Sequence, residues 1–162
     1  MPGCAKTGWY LKLAKAILKA KRVYLIGNGG SAANAIHIAN DLISCGIKAQ
    51  AIPDIATLTA IANDFSYEEV FARAIRTLAD PGDLLIALTG SGRSPNILAG
   101  IQAARERGVH TFAIVGEYND ECPAAVLAEQ CTRWGKDMQE AEEKQLYLGH
   151  KVMRWLKDGK DS

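Results

Sequence analysis

The chain has 162 residues, 48% of them hydrophobic, which is enough for one full core in one ordinary domain. Lys plus Arg number 19 and Asp plus Glu 18, a formal charge of +1, so nothing electrostatic points to nucleic acid or a membrane surface as partner. No uninterrupted apolar run approaches the roughly 18 residues that a membrane helix needs, and Met1 to Lys6 lack the apolar stretch of a secretory signal. The four cysteines, Cys4, Cys45, Cys122 and Cys131, are scattered without a CxxC pair, so reduced thiols in a cytoplasmic protein are expected.

Apolar residues recur at helical spacing from about 7 to 21, through Trp9, Leu13, Ala16, Ile17 and Ala20. Val23 to Ile26 is a short apolar run that ends at glycine, the pattern of a buried parallel strand. Helical spacing returns over 32–45, and Gly46 follows where a terminating glycine belongs. A second short strand is expected over 49–52, then helices over 55–62 and 67–78, and a turn at Pro81-Gly82. Leu84 to Leu88 is the clearest buried strand. A helix over 95–107 has proline in its first turn. Strands over 111–115 and, more weakly, 129–132 precede a long helix over 136–157. The sequence predicts one domain over 1–162: a first helix, a core over 22–134 and a closing helix. Alternation of strand and helix, with strands apolar on both faces, predicts a doubly wound parallel sheet.

Two loops carry anion-binding character. Asn28-Gly29-Gly30-Ser31 joins the first strand to a helix, and Ser31 is placed to cap that helix or to contact an anion. A glycine turn with a serine cap is also an ordinary connector. Thr89-Gly90-Ser91-Gly92-Arg93-Ser94 repeats the arrangement after a second strand, with three hydroxyls besides its glycines. Two such loops at one sheet edge favour a phosphate site. Neither fits GxxxxGK[ST], and Ala32 stands where a third GxGxxG glycine would be, so no nucleotide cofactor is expected.

Gly27 to Ser31 leading into Ala35-Ile36-His37-Ile38-Ala39, then Ala62-Asn63-Asp64-Phe65, Thr89 to Ser94 and Leu148-Gly149-His150 together resemble the SIS (sugar isomerase) domain family, in its phosphoheptose isomerase subgroup. The resemblance covers roughly 22–155. It implies a five-stranded parallel sheet and a homotetramer with active sites between subunits. It implies a phosphorylated sugar as ligand, its phosphate on Ser31, Thr89, Ser91 and Ser94 and its pocket lined by Asn28 with the Gly29 and Gly30 backbone. It places an acid/base pair at Asp41 and His150, and in some members a zinc ion at the positions of His37, Asp41, Glu142 and His150. The family usually has Glu at position 41, often Gln at 142, and an arginine where Cys45 stands.

The residues themselves allow this chemistry. An aldose–ketose isomerase moves a proton between adjacent carbons through an enediol, so it needs a base and an acid. His37 and Asp41 share one helix face at a spacing of four, and Glu142 and His150 share a face two turns apart. Two histidines and two carboxylates on facing helices suit proton transfer or zinc. Asp64 is a candidate to bind sugar hydroxyls or assist the proton transfer. The bland readings are a core histidine at 37 or 150, a solvated helix face at Glu142 and a helix terminus at Asp64. The functional alternative is a non-catalytic SIS protein that binds a sugar phosphate in a regulatory or assembly role.

Overall fold

A computed structural model describes residues 8–159. Five parallel strands form its centre: β1 (Val23–Gly27), β2 (Ala49–Ala51), β3 (Leu84–Thr89), β4 (His110–Val115) and β5 (Gln130–Arg133), ordered β2-β1-β3-β4-β5. β1 and β3 are buried along their whole length, as their unbroken apolar runs require of strands covered on both faces. The helices are α1 (Trp9–Lys19), α2 (Gly30–Ser44), α3 (Ile55–Asp64), α4 (Val70–Leu78), α5 (Pro95–Glu106), α6 (Pro123–Leu127) and α7 (Met138–Asp158).

Two cores fill the two faces of the sheet. One packs Leu85, Ala87 and Ala113 against Phe71, Ile75, Ile97 and Ile101 of α4 and α5. The other packs Leu25, Ile86, Leu88 and Ile114 against Ile17 of α1, Ile38 and Leu42 of α2, and Leu148, Val152 and Leu156 of α7. This is the expected doubly wound sheet.

The strand order reverses direction between β1 and β3, and in such sheets ligands lie in the crevice beyond the carboxyl ends at that switch. Both glycine-serine loops leave these two adjacent strands at that end, with Gly27 paired to Leu88 in register.

Three local details differ from expectation. α2 begins at Gly30 rather than near 32, because Gly29, at φ 54°, takes the cap position with no side-chain cap bond. Ser31 therefore lies inside the first turn and does not cap the helix. The segment from 67 opens as a 3-10 turn, Tyr67–Glu69, before α4. α6 is new; five residues are too few to show a helical period. The expected start of α1 at Thr7 lies outside the described residues.

Candidate active site

α2 and α7 run side by side in the same direction, and their matched positions build much of the site. Asn34 Nδ2 donates to the Glu142 carbonyl at 2.9 Å and to Gln145 Oε1 at 3.1 Å. Two turns further on, Gly149 lies against Ile38, and a side chain there would come within 2.6 Å of the isoleucine. That close approach brings the next residue, His150, onto α2. His150 Nε2 is 3.1 Å from His37 Nε2. Asp41 Oδ2 lies 3.4 Å from His37 Nε2 and 3.6 Å from His150 Nε2.

The three atoms form a nearly equilateral triangle. Asp41 Oδ2 is buried and makes no hydrogen bond. A buried carboxylate oxygen without a donor is costly unless a proton or a cation supplies the missing partner. Ligands about 2.0–2.1 Å from a tetrahedral cation stand about 3.3 Å apart, which is the spacing seen here. His37, Asp41 and His150 thus form a group able to hold a metal ion.

Of the four residues that the resemblance implies for zinc, the chain brings these three together, and Glu142 lies apart from them. Its carboxylate lies against Gly30, where even a methyl group would collide with it. The reason is the helix rise: eight residues share a face with His150 but stand about 12 Å away along α7. Asp64 ends α3, exposed, and accepts a bond from Asn63 Nδ2 at 2.9 Å.

At the sheet edge, Ser31 and Thr89 are buried while Ser91 and Ser94 are half-buried. Thr89 Oγ1 accepts from the Gly92 amide at 3.2 Å, and Ser91 Oγ from the Arg93 amide at 3.2 Å. Ser94 caps α5 by position, but its hydroxyl makes no cap bond. α2 therefore presents a first turn without a side-chain cap from the residue before it, which leaves amide groups and dipole available to an anion, whereas in α5 Pro95 has no amide hydrogen and the Ile97 amide is bonded to Asn96 Oδ1. Arg93 is turned to the Glu121 carbonyl at 3.1 Å.

Asn28 does more than line a pocket. Its Nδ2 donates to Asn96 Oδ1 at 2.9 Å, Asn96 Nδ2 donates back to Asn28 Oδ1 at 2.8 Å, and the Tyr67 hydroxyl donates to the same oxygen at 3.1 Å. Asn96 Oδ1 also accepts the Ile97 amide at 3.0 Å. The first loop is thereby clasped to the start of α5. Asn96, Tyr67 and Tyr118 belong to the site and carried no signal in the sequence, since each depends on a tertiary partner. The Tyr118 hydroxyl lies beside Gly90, and burial with the nearby Glu142, Asp137 and Cys122 pushes its pKa above the ordinary tyrosine value.

His110 sits at the other end of β4, exposed, 3.0 Å from Glu129. Trp134 stacks edge-on against Tyr147, and Trp155 packs against the core that holds α7. No helix among the described residues is long and apolar enough to cross a membrane.

The sequence profile described as SIS domain matches residues 10–116. A phosphoheptose isomerase from Halorhodospira halophila is 44% identical over 124 residues, 72% of this chain and 63% of that relative. One from Chromohalobacter salexigens is 34% identical over 126 residues, 74% of this chain and 64% of the relative. The chain thus spans a little under two thirds of the length of these curated relatives. Among solved structures, phosphoheptose isomerase from Neisseria gonorrhoeae superposes with a TM-score of 0.85 at 28% identity, covering 91% of this chain and 84% of that one. The Francisella tularensis phosphoheptose isomerase, at 23% identity, shows the fold, with a TM-score of 0.88 over 94% of this chain and 86% of the other. The profile match extends over more than half of the sequence, and the chain belongs to the SIS domain family.

Proposed function

We propose that this chain is a phosphosugar aldose–ketose isomerase that interconverts sedoheptulose 7-phosphate and an aldoheptose 7-phosphate. The observation that carries the reading is the convergence of Asp41 Oδ2 and His37 Nε2, on the helix that begins at the first glycine-serine loop, with His150 Nε2 of α7. The names and identities of its relatives support the substrate.

In this reading, Ser31, Thr89, Ser91, Ser94 and the open first turn of α2 hold the phosphate. Asn28, clasped by Asn96, fixes the first loop. Asp41 takes the carbon-bound proton while His150 protonates the carbonyl oxygen, giving the enediol; Asp41 then returns the proton to the former carbonyl carbon while His150 takes the proton of the neighbouring hydroxyl, which becomes the new carbonyl. General acid–base catalysis by such a pair contributes about 10²–10⁴-fold. His37, beside both groups, positions them. Asp64 is assigned to sugar hydroxyls.

His37, Asp41 and His150 also fit a zinc ion through two nitrogens and one oxygen, and such a cation, in place of the His150 proton, would polarise the substrate carbonyl. A homo-oligomer with shared active sites, a tetramer, suits the exposed apolar surface around this cluster. Ile36 and Ile43 of α2 are 64% and 57% exposed. α3 is mostly apolar yet has no buried residue. Apolar surface of this kind marks an interaction site. The free thiols of Cys45 and Cys122 suit a reducing cytoplasm.

The reading is tested by a panel of ketoses of different chain length, each with and without its phosphate. Turnover confined to phosphorylated ketoses and fastest for the seven-carbon member is expected. Equal turnover of unphosphorylated sugars would remove the role given to the two loops.

A further inference from the structure

Tyr118 lies on the segment after β4, which is tied to the second loop by the Gly116 amide donating to the Gly90 carbonyl at 2.9 Å. Its ring covers Gly116 so closely that no side chain fits there. Next to it, Asn119 Nδ2 donates to the Ser91 carbonyl at 3.1 Å, and the Arg133 guanidinium donates to the Asn119 carbonyl. The tyrosine is therefore held in place by its neighbours on both sides.

Its hydroxyl sits 2.9 Å from where a Cβ on Gly90 would stand, and Met138 Sδ is 2.5 Å from the same point. The hydroxyl's protein partner is that thioether, at 3.6 Å. A thioether is a weak acceptor, whereas a partly buried tyrosine hydroxyl usually finds a strong one. Gly90, whose missing side chain makes room for the hydroxyl, belongs to the loop that carries Ser91 and Ser94.

We infer that the Tyr118 hydroxyl donates a hydrogen bond to the phosphate held by the 89–94 loop and sets the affinity of that loop for phosphorylated ligands. The inference rests on the proposed function and assigns a contact within its site. Tyr118 is a substrate-binding residue here and takes no part in the proton transfer. Its raised pKa keeps the hydroxyl protonated, and so a donor, throughout the neutral range.

The test compares Tyr118→Phe with the wild-type chain. The ring over Gly116 is kept and the hydroxyl alone is removed. Sedoheptulose 7-phosphate and inorganic phosphate are each titrated by calorimetry, turnover is followed in parallel, and the unfolding midpoint is measured. A hydrogen bond to a charged group predicts about 10- to 100-fold weaker binding of the phosphorylated ligands. KM rises with it, while kcat and the unfolding midpoint are unchanged. Binding equal to wild type within twofold overturns the inference, as does weakened binding accompanied by a lowered unfolding midpoint. If wild type binds inorganic phosphate but not the sugar phosphate, the functional reading fails; Tyr118→Phe with weaker phosphate binding still supports the contact. If wild type binds neither, both fall.

Discussion

Asn28 and Asn96 are 68 residues apart in sequence and exchange amide hydrogen bonds at 2.9 and 2.8 Å, so the loop after β1 and the helix after β3 are one mechanical unit. Asn96 is 2% exposed and also caps the Ile97 amide with its own oxygen. Asn96→Ala removes both partners and leaves Asn28 with the Tyr67 hydroxyl. Leaving buried groups unpaired costs about 1–3 kcal/mol. Urea unfolding should show a loss in that range, with weaker phosphate binding. A change under about 0.5 kcal/mol, the scatter of an ordinary surface substitution, would contradict the clasp.

The loop glycines should differ in cost. A Cβ on Gly27 would lie 2.6 Å from the backbone carbonyl group of Ser31, whereas on Gly30 it would meet the Glu142 carboxylate. Backbone inside a helix cannot yield, but a half-exposed glutamate can rotate away. Gly27→Ala is therefore expected to destabilise by about 1–3 kcal/mol and Gly30→Ala by less. Equal losses in paired denaturant titrations would show that Glu142 is as fixed as backbone.

Zinc should stabilise the folded chain through His37, Asp41 and His150. At a free zinc concentration about 100 times Kd, the gain is about 2.7 kcal/mol. A rise in the unfolding midpoint is expected for wild type and not for His37→Ala. Glu142→Ala should keep the rise, because Glu142 stands outside the triangle. Loss of the zinc effect in Glu142→Ala would restore the four-residue set.

Asp54 begins α3 by accepting the Ala56 and Thr57 amides and the Thr57 hydroxyl at 3.0, 3.1 and 2.6 Å. The Thr57 hydroxyl and amide bonds hold its pKa below the ordinary aspartate value. A depressed carboxyl pKa contributes stability above its unfolded value, near 3.9, and loses it as pH falls through the folded value. Asp54→Ala should melt below wild type at pH 7, and the gap should close in strong acid. A gap that persists unchanged below the folded pKa would mean that the carboxylate charge is not its source.

The sheet was legible in the sequence because strands buried on both faces leave unbroken apolar runs, as in Leu84–Leu88. Both phosphate-type loops were legible because glycine and hydroxyl residues cluster at strand ends. Less was legible where geometry along a helix decides. Glu142 and His150 share a face, but the rise separates them along α7, and same-face spacing alone does not show that distance. Asn96 and Tyr118 gain their roles from residues 68 and 28 positions away, Asn28 and Gly90, and a local pattern holds no trace of such pairs. Ser31 looked like a cap because serine is a common one; Gly29 took that position through a backbone conformation that favours glycine.

The central claim is that this chain catalyses and does not merely bind. The most direct measurement follows sedoheptulose 7-phosphate by NMR with wild type and His150→Ala, each with its ligand affinity determined alongside. An aldoheptose 7-phosphate product is expected with wild type and a rate at least about 100-fold lower for His150→Ala, with binding changed little. Firm binding by wild type without any turnover would contradict it and leave a phosphosugar-binding protein without catalysis.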